Sequence, residues 1–142
     1  MVRRVGLLLT LTALSALAGC APGGPDLQPA LNDTAWVLYE LGQPGNLRPA
    51  LEQRGVMLTF SGDTRASGNA GCNGWGASCS ISRSGAIAFT EIVHTEMYCM
   101  EPGIMEQEQF FLDALLGAER YEIVDGTLHI TGSNGTLVFS RT

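Results

Sequence analysis

The residues that invite chemistry are few and cluster in the middle of the chain. Cys72, Cys79, His94 and Cys99 together offer thiol and imidazole groups, which serve as metal ligands or as a nucleophile with its base. Neither use fits. Cys-x6-Cys and His-x4-Cys are not structural zinc spacings. Neither His94 nor His129, which alternates within a terminal strand, has an evident orienting partner for a Cys–His pair. Glu108 interrupts the apolar face of a helix, where a carboxyl acts as a general acid or base or, more commonly, as an acceptor for nearby backbone groups. Glu106 lies on another side of that helix, so the two are not a carboxylate dyad. Gly68, Gly71, Gly74 and Gly76 suggest a phosphate loop, but the required Lys and an immediately following helix are missing. These glycines better suit a tight turn with positive φ, in which the Asn73 side chain satisfies loop backbone groups. Trp75 is read as core rather than as an exposed partner contact. No catalytic residue, metal or cofactor is expected.

The elements that must position these groups are short strands and one helix. Thr34–Leu41 reads as a strand with Trp36, Leu38 and Glu40 on one face and Val37 and Tyr39 on the other. Residues 43–49 read as a turn-rich loop. Val56–Phe60 and Arg65–Asn69 are further strands, and Ala70–Gly76 is too glycine-rich for a regular element. Ala77–Ser82 and Ala86–Thr90 form a hairpin turning at Arg83-Ser84-Gly85. Glu101–Gly117 is the helix, with Pro102 at its first position, Gly117 as its stop, and Ile104, Glu108, Phe111, Leu112 and Leu115 on one face. Arg120–Val124, Thr127–Thr131 and Thr136–Ser140 close the chain, joined at Asp125-Gly126 and Asn134-Gly135, both strong tight-turn pairs. This pattern predicts an α+β domain: a strongly curved antiparallel sheet or partial barrel with one main helix.

Ahead of the domain lies a processing signal. Arg3 and Arg4 precede an uncharged apolar run from Gly6 to Ala18. At about thirteen residues it is shorter than the roughly 20 of a spanning helix. Leu17-Ala18-Gly19-Cys20 matches a lipobox, so residues 1–19 are expected to be removed and Cys20 acylated. Two or three acyl chains, each buried methylene contributing about 0.8 kcal/mol, anchor stably where a single chain does not. Residues 20–30, the lipidated Cys followed by a Pro- and Gly-rich run, form a tether, and residues 31–142 form the domain. Ala21, rather than Asp, follows the acylated Cys, which points to the periplasmic face of the outer membrane in a two-membrane host.

The roughly 112 residues of the domain suffice for one core. All eight basic residues are Arg and two lie in the signal, so the mature chain carries six against fourteen acids, a charge near −8. Such a surface excludes nucleic acid as a partner and leaves membrane contact to the lipid. In an oxidising compartment Cys72, Cys79 and Cys99 favour disulfide bonding with one thiol left over, and spacing alone does not fix which pair joins.

The motifs, taken in order, resemble the META domain family, which includes heat-inducible lipoproteins of the HslJ type. The resemblance runs over almost the whole domain: W-x-L at Trp36–Leu38, L-T-F at Leu58–Phe60, S-G-x-x-G-C-N at Ser67–Asn73, T-x-M-x-C at Thr95–Cys99, E-x-x-F-L-x-A-L at Glu108–Leu115, and the strands Tyr121–Ile123 and Leu128–Ile130. Gly71, Asn73, Thr95, Met97 and Glu108 are the motif residues. Membership implies a small β-rich domain, often lipid-anchored, associated with envelope stress and without established catalysis. It implies a Cys72–Cys99 disulfide, although Cys79 is extra to the pattern. The function that follows is a non-catalytic, monomeric envelope protein for stress tolerance or maintenance. The alternative is a pilot-like chaperone gripping a hydrophobic peptide or lipid in a groove of the curved sheet.

Overall fold

The computed structural model describes residues 29–53 and 55–142. The signal, Cys20 and the tether up to residue 28 lie outside the described residues. The chain runs β1 (Ala35–Gln43), β2 (Asn46–Pro49), β3 (Met57–Ser61), β4 (Arg65–Asn69), β5 (Gly74–Ile81), β6 (Ile87–His94), α1 (Ile104–Leu116), β7 (Ala118–Val124), β8 (Thr127–Gly132) and β9 (Gly135–Arg141). All nine strands belong to one antiparallel sheet in the order β6-β5-β4-β3-β1-β9-β8-β7, with β2 paired to the end of β1. The sheet curls into a half-barrel. Its two end strands approach through the Ala86–Arg120 bridge and the Tyr121 N–H donating to the Gly85 carbonyl at 2.8 Å. The α+β fold with a curved sheet is the predicted one.

Alternation puts Trp36 and Leu38 of β1, Leu58 and Phe60 of β3, Trp75, Ala77 and Cys79 of β5, Ile87 and Phe89 of β6 and Leu137 and Phe139 of β9 into a single core. Phe60 stacks on Phe89, and Phe111 from α1 meets Trp75 and Phe139 edge-on at 5.5 and 6.5 Å between ring centroids. The helix packs against β6 and β9. Ile104, Phe111, Leu112 and Leu115 are buried as expected, each contributing about 1.5–3 kcal/mol relative to exposure.

Several elements depart from expectation, each for a physical reason. A register shift in the β1–β9 pairing between Leu38 and Glu40 turns the strand, so Leu41 points inward in place of Glu40. Residues 46–49 form β2 rather than loop, because β1 continues past its expected end and offers it an edge. The irregular stretch shrinks to 70–73: Gly74, Trp75 and Gly76 pair with Asn69, Gly68 and Ser67. Gly68 is required there, since a Cβ would run into the Met57 carbonyl of the neighbouring strand. β6 continues past Thr90 to His94, across an irregularity where Glu91 takes φ 53° and accepts from the Ser78 hydroxyl at 2.6 Å. The helix starts at Ile104 and not at Glu101, because Gly103 before it is left-handed with φ 82°, which leaves Pro102 outside. Its C-terminal stop at Gly117 stands as expected, the Gly117 N–H donating to the carbonyls of Asp113 and Leu115.

Candidate functional site

The expected site residues converge where the irregular stretch 70–73, the segment 95–99 and α1 meet. β4 and β5 bring Cys72 and Asn73 to one end of the sheet, β6 delivers Thr95 and Met97 to the same end, and α1 lays Glu108 beneath them. Glu108 Oε2 accepts the backbone N–H groups of Cys72 at 2.9 Å and Asn73 at 2.7 Å. Its Oε1 accepts from Asn73 Nδ2 at 2.6 Å. The same Nδ2 donates to the Met97 carbonyl at 3.0 Å. Asn73 Oδ1 accepts from the Thr95 hydroxyl at 2.8 Å and the Met97 N–H at 2.7 Å. Glu108 and Asn73 are 4% and 1% exposed, so these bonds take the place of water. Gly71, φ 122°, begins the turn, and its N–H donates to Asn69 Oδ1 at 2.7 Å.

Cys72 and Cys99 are joined by a disulfide, Cα atoms 5.8 Å apart. The bond ties the 70–73 turn to the segment ahead of the helix, as the resemblance implies. Cys79, the free cysteine among the described residues, is buried on β5. Burial, and secondarily the charge of Asp63, pushes its thiol above the ordinary value. A buried, protonated thiol is a poor nucleophile. His129 is not brought to the site: it lies on β8, its Nε2 3.0 Å from the Thr127 hydroxyl. Trp75 is core, 5% exposed, its indole N–H donating to the Met57 carbonyl at 3.2 Å.

One buried residue of this region escaped sequence reading. Gln107, fully buried beside Glu108 in sequence, accepts the Leu51 N–H at 2.8 Å, while its Nε2 has no partner. A polar residue next to an apolar helix face carries no signal of burial. His94 also lies near the network, exposed, with Nδ1 2.8 Å from the Thr95 carbonyl.

At this end large apolar side chains are exposed among His94, Thr95 and Glu96. Val93, Met97, Tyr98 and Met100 are 67%, 58%, 79% and 88% exposed. Two hollows flank the segment. A shallow one of about 590 Å³ lies over Gly68, Trp75, Gly76 and Val93, and one of about 280 Å³ lies between His94–Tyr98 and α1.

The model of the META domain family matches residues 29–142. The chain belongs to the META domain family. Among solved structures, this META domain is similar to an NMR structure of a protein from Burkholderia xenovorans, 27% identical, covering 91% of this chain and 99% of that one with a TM-score of 0.69. A second NMR structure, 20% identical, covers 78% of this chain and 90% of that one with a TM-score of 0.62, a likeness of fold. No curated protein matches. In the META domain the motif residues Asn73, Thr95, Met97 and Glu108 are joined by one hydrogen-bond network, buried at Glu108 and Asn73 and reaching the surface at Thr95 and Met97, while Gly71 lies in the adjoining turn and bonds to Asn69.

Proposed function

We propose that this META domain is a non-catalytic envelope protein, lipid-anchored through Cys20 at the periplasmic face of the outer membrane, that supports the envelope under stress by presenting the segment 93–100 to a partner. One observation carries the reading. The groups that could have done chemistry, Glu108, Asn73, Cys72 and Cys99, are all engaged within the protein, while Val93, Met97, Tyr98 and Met100 face outward on a segment held by those same bonds. Apolar side chains exposed together are typical of contact surfaces. The lipobox and family membership support the anchoring and stress parts of the reading.

A photo-cross-linking residue at Tyr98, with one at Tyr39 as control, tests it in intact envelopes. A discrete adduct from position 98 alone supports the proposal, and identical background from both overturns the contact role. Cys20→Ala should release the protein from the membrane fraction and abolish palmitate incorporation. Unchanged fractionation without label would remove the anchor.

The pilot-like alternative draws on the hollow beside Trp75. That hollow is shallow, about 590 Å³, and offers Trp75 and Val93 as apolar contacts. An apolar peptide or lipid seated there should change Trp75 fluorescence, measured in a Trp36→Phe background, and a flat titration with both ligand types would eliminate this reading.

A further inference from the structure

Three of the five methionines, Met97, Met100 and Met105, fall close together in sequence, and two of them line one hollow with His94. This cleft of about 280 Å³ lies between the 94–98 segment and the first turns of α1. We propose that it is a binding site for a soft monovalent metal ion, Cu(I), ligated by the imidazole of His94 and the thioethers of Met97 and Met105.

Thioether sulfur and imidazole are the donors that select Cu(I) over harder ions. Among the described residues no group of three or more His, Cys, Asp and Glu is placed to hold a metal, which argues against zinc or calcium and leaves the thioethers to be considered. The disulfide sharpens the choice. Under conditions where Cys72 and Cys99 are oxidised and Cys79 is buried on β5, thiolates are withdrawn from metal binding, and methionine is the soft sulfur that remains.

Each donor is set up for the role. With His94 Nδ1 donating to the Thr95 carbonyl at 2.8 Å, the Nε2 lone pair is the one directed elsewhere. Met105 Sδ accepts the Cys99 N–H at 3.5 Å, which positions the sulfur and uses one of its two lone pairs. Met97 is fixed through its backbone, N–H and carbonyl both bonded to Asn73, while its side chain is 58% exposed. An exposed methionine gains little from burial, and its three rotatable bonds let the sulfur swing over the cleft. Glu96 stands at the rim and no Arg lines the cleft, so the local field favours a cation.

The test is anaerobic titration of the disulfide-intact protein with Cu(I) against a chromogenic chelator. Ag(I) serves as a redox-inert probe of the methionine methyl and histidine ring NMR signals. The expected result is one ion per chain, with shifts at Met97, Met105 and His94. Met97→Leu and Met105→Leu should each weaken binding by more than the roughly 10–100-fold that loss of an outer-shell partner brings. Met57→Leu, on β3, should leave it unchanged. These Leu replacements nearly conserve volume, and the NMR spectrum reports folding directly. Failure to compete with the chelator would overturn the proposal. So would equal loss in the Met57 variant, or binding that emerges only after the disulfide is reduced, which would assign the metal to the thiols.

Discussion

The carboxylate of Glu108 and the side-chain amide of Asn73 meet at 2.6 Å although 35 residues separate them in sequence. Through that contact the helix reads the turn before β5, and Asn73 passes the connection on to Thr95 and Met97. Three parts of the chain thereby share one polar network, buried at Glu108 and Asn73. Glu108→Ala should therefore destabilise the domain by about 2–6 kcal/mol, since it strands the Cys72 and Asn73 N–H groups at about 1–3 kcal/mol each. Urea denaturation checks the value. The Glu108→Ala/Asn73→Ala double variant should lose clearly less than the sum of the single losses, because both act on one network.

The disulfide closes a loop with a sequence separation of 27. Chain entropy assigns such a loop about 3.5 kcal/mol. Cys72→Ser/Cys99→Ser should lower stability by about that amount. A loss below about 1 kcal/mol in equilibrium unfolding would mean that the Glu108 network alone holds the turn.

Gly68→Ala should destabilise by about 1–3 kcal/mol, the usual range for overpacking, because the new methyl meets the Met57 carbonyl. Gly74→Ala, where a Cβ comes no nearer than 3.9 Å to the Gly68 carbonyl, is the matched control and should be much milder. Thermal unfolding of the pair distinguishes crowding from a general intolerance of side chains in these strands.

Stability should fall in alkali. Burial holds the thiol of Cys79 and the phenol of Tyr121 above their ordinary values of 9.0 and 10.0, with Arg83 partly offsetting the effect at Tyr121. Both groups therefore keep their protons in the folded state at pH values where the unfolded chain has lost them. The folded state then binds more protons, and stability declines as pH rises above about 9, with no contribution below. Cys79→Ala should flatten the first part of that decline in denaturant midpoints measured from pH 8 to 11.

The sequence made visible what depends on near neighbours. Asp125-Gly126 reads as a turn from its two residues, and both adopt positive φ, 50° and 81°. Glu108 stood out as an acid on an apolar helix face. Asn73 stood out too, as a motif residue and a bonding partner for its own loop, but its pairing with Glu108 did not, since the two meet only after β4 and β5 have paired. β2 was missed because all four of its residues are exposed, so it carries no buried alternation. The turns of phase after Leu38 and near Glu91 were invisible for a related reason: a bulge is a mismatch between two paired strands, which a single strand's alternation does not record. Gln107 was passed over because its bonding partner, Leu51, lies 56 residues away, which no helical period records. Met97 stood out only as a motif residue and Met105 not at all, because their place on one hollow with His94 depends on how the 94–98 segment packs against α1.

The bond between Cys72 and Cys99 also makes a covalent ring of the β5–β6 hairpin. The Arg83-Ser84 tip of that ring is exposed, as protease-sensitive turns are. A nick there severs the backbone yet frees no fragment: the pieces stay linked through sulfur and zipped by the strand ladders on either side. The molecule would migrate whole on a gel until reductant is added, and then fall into two. This half of the sheet can thus outlive a cut that would dismantle an unbridged hairpin.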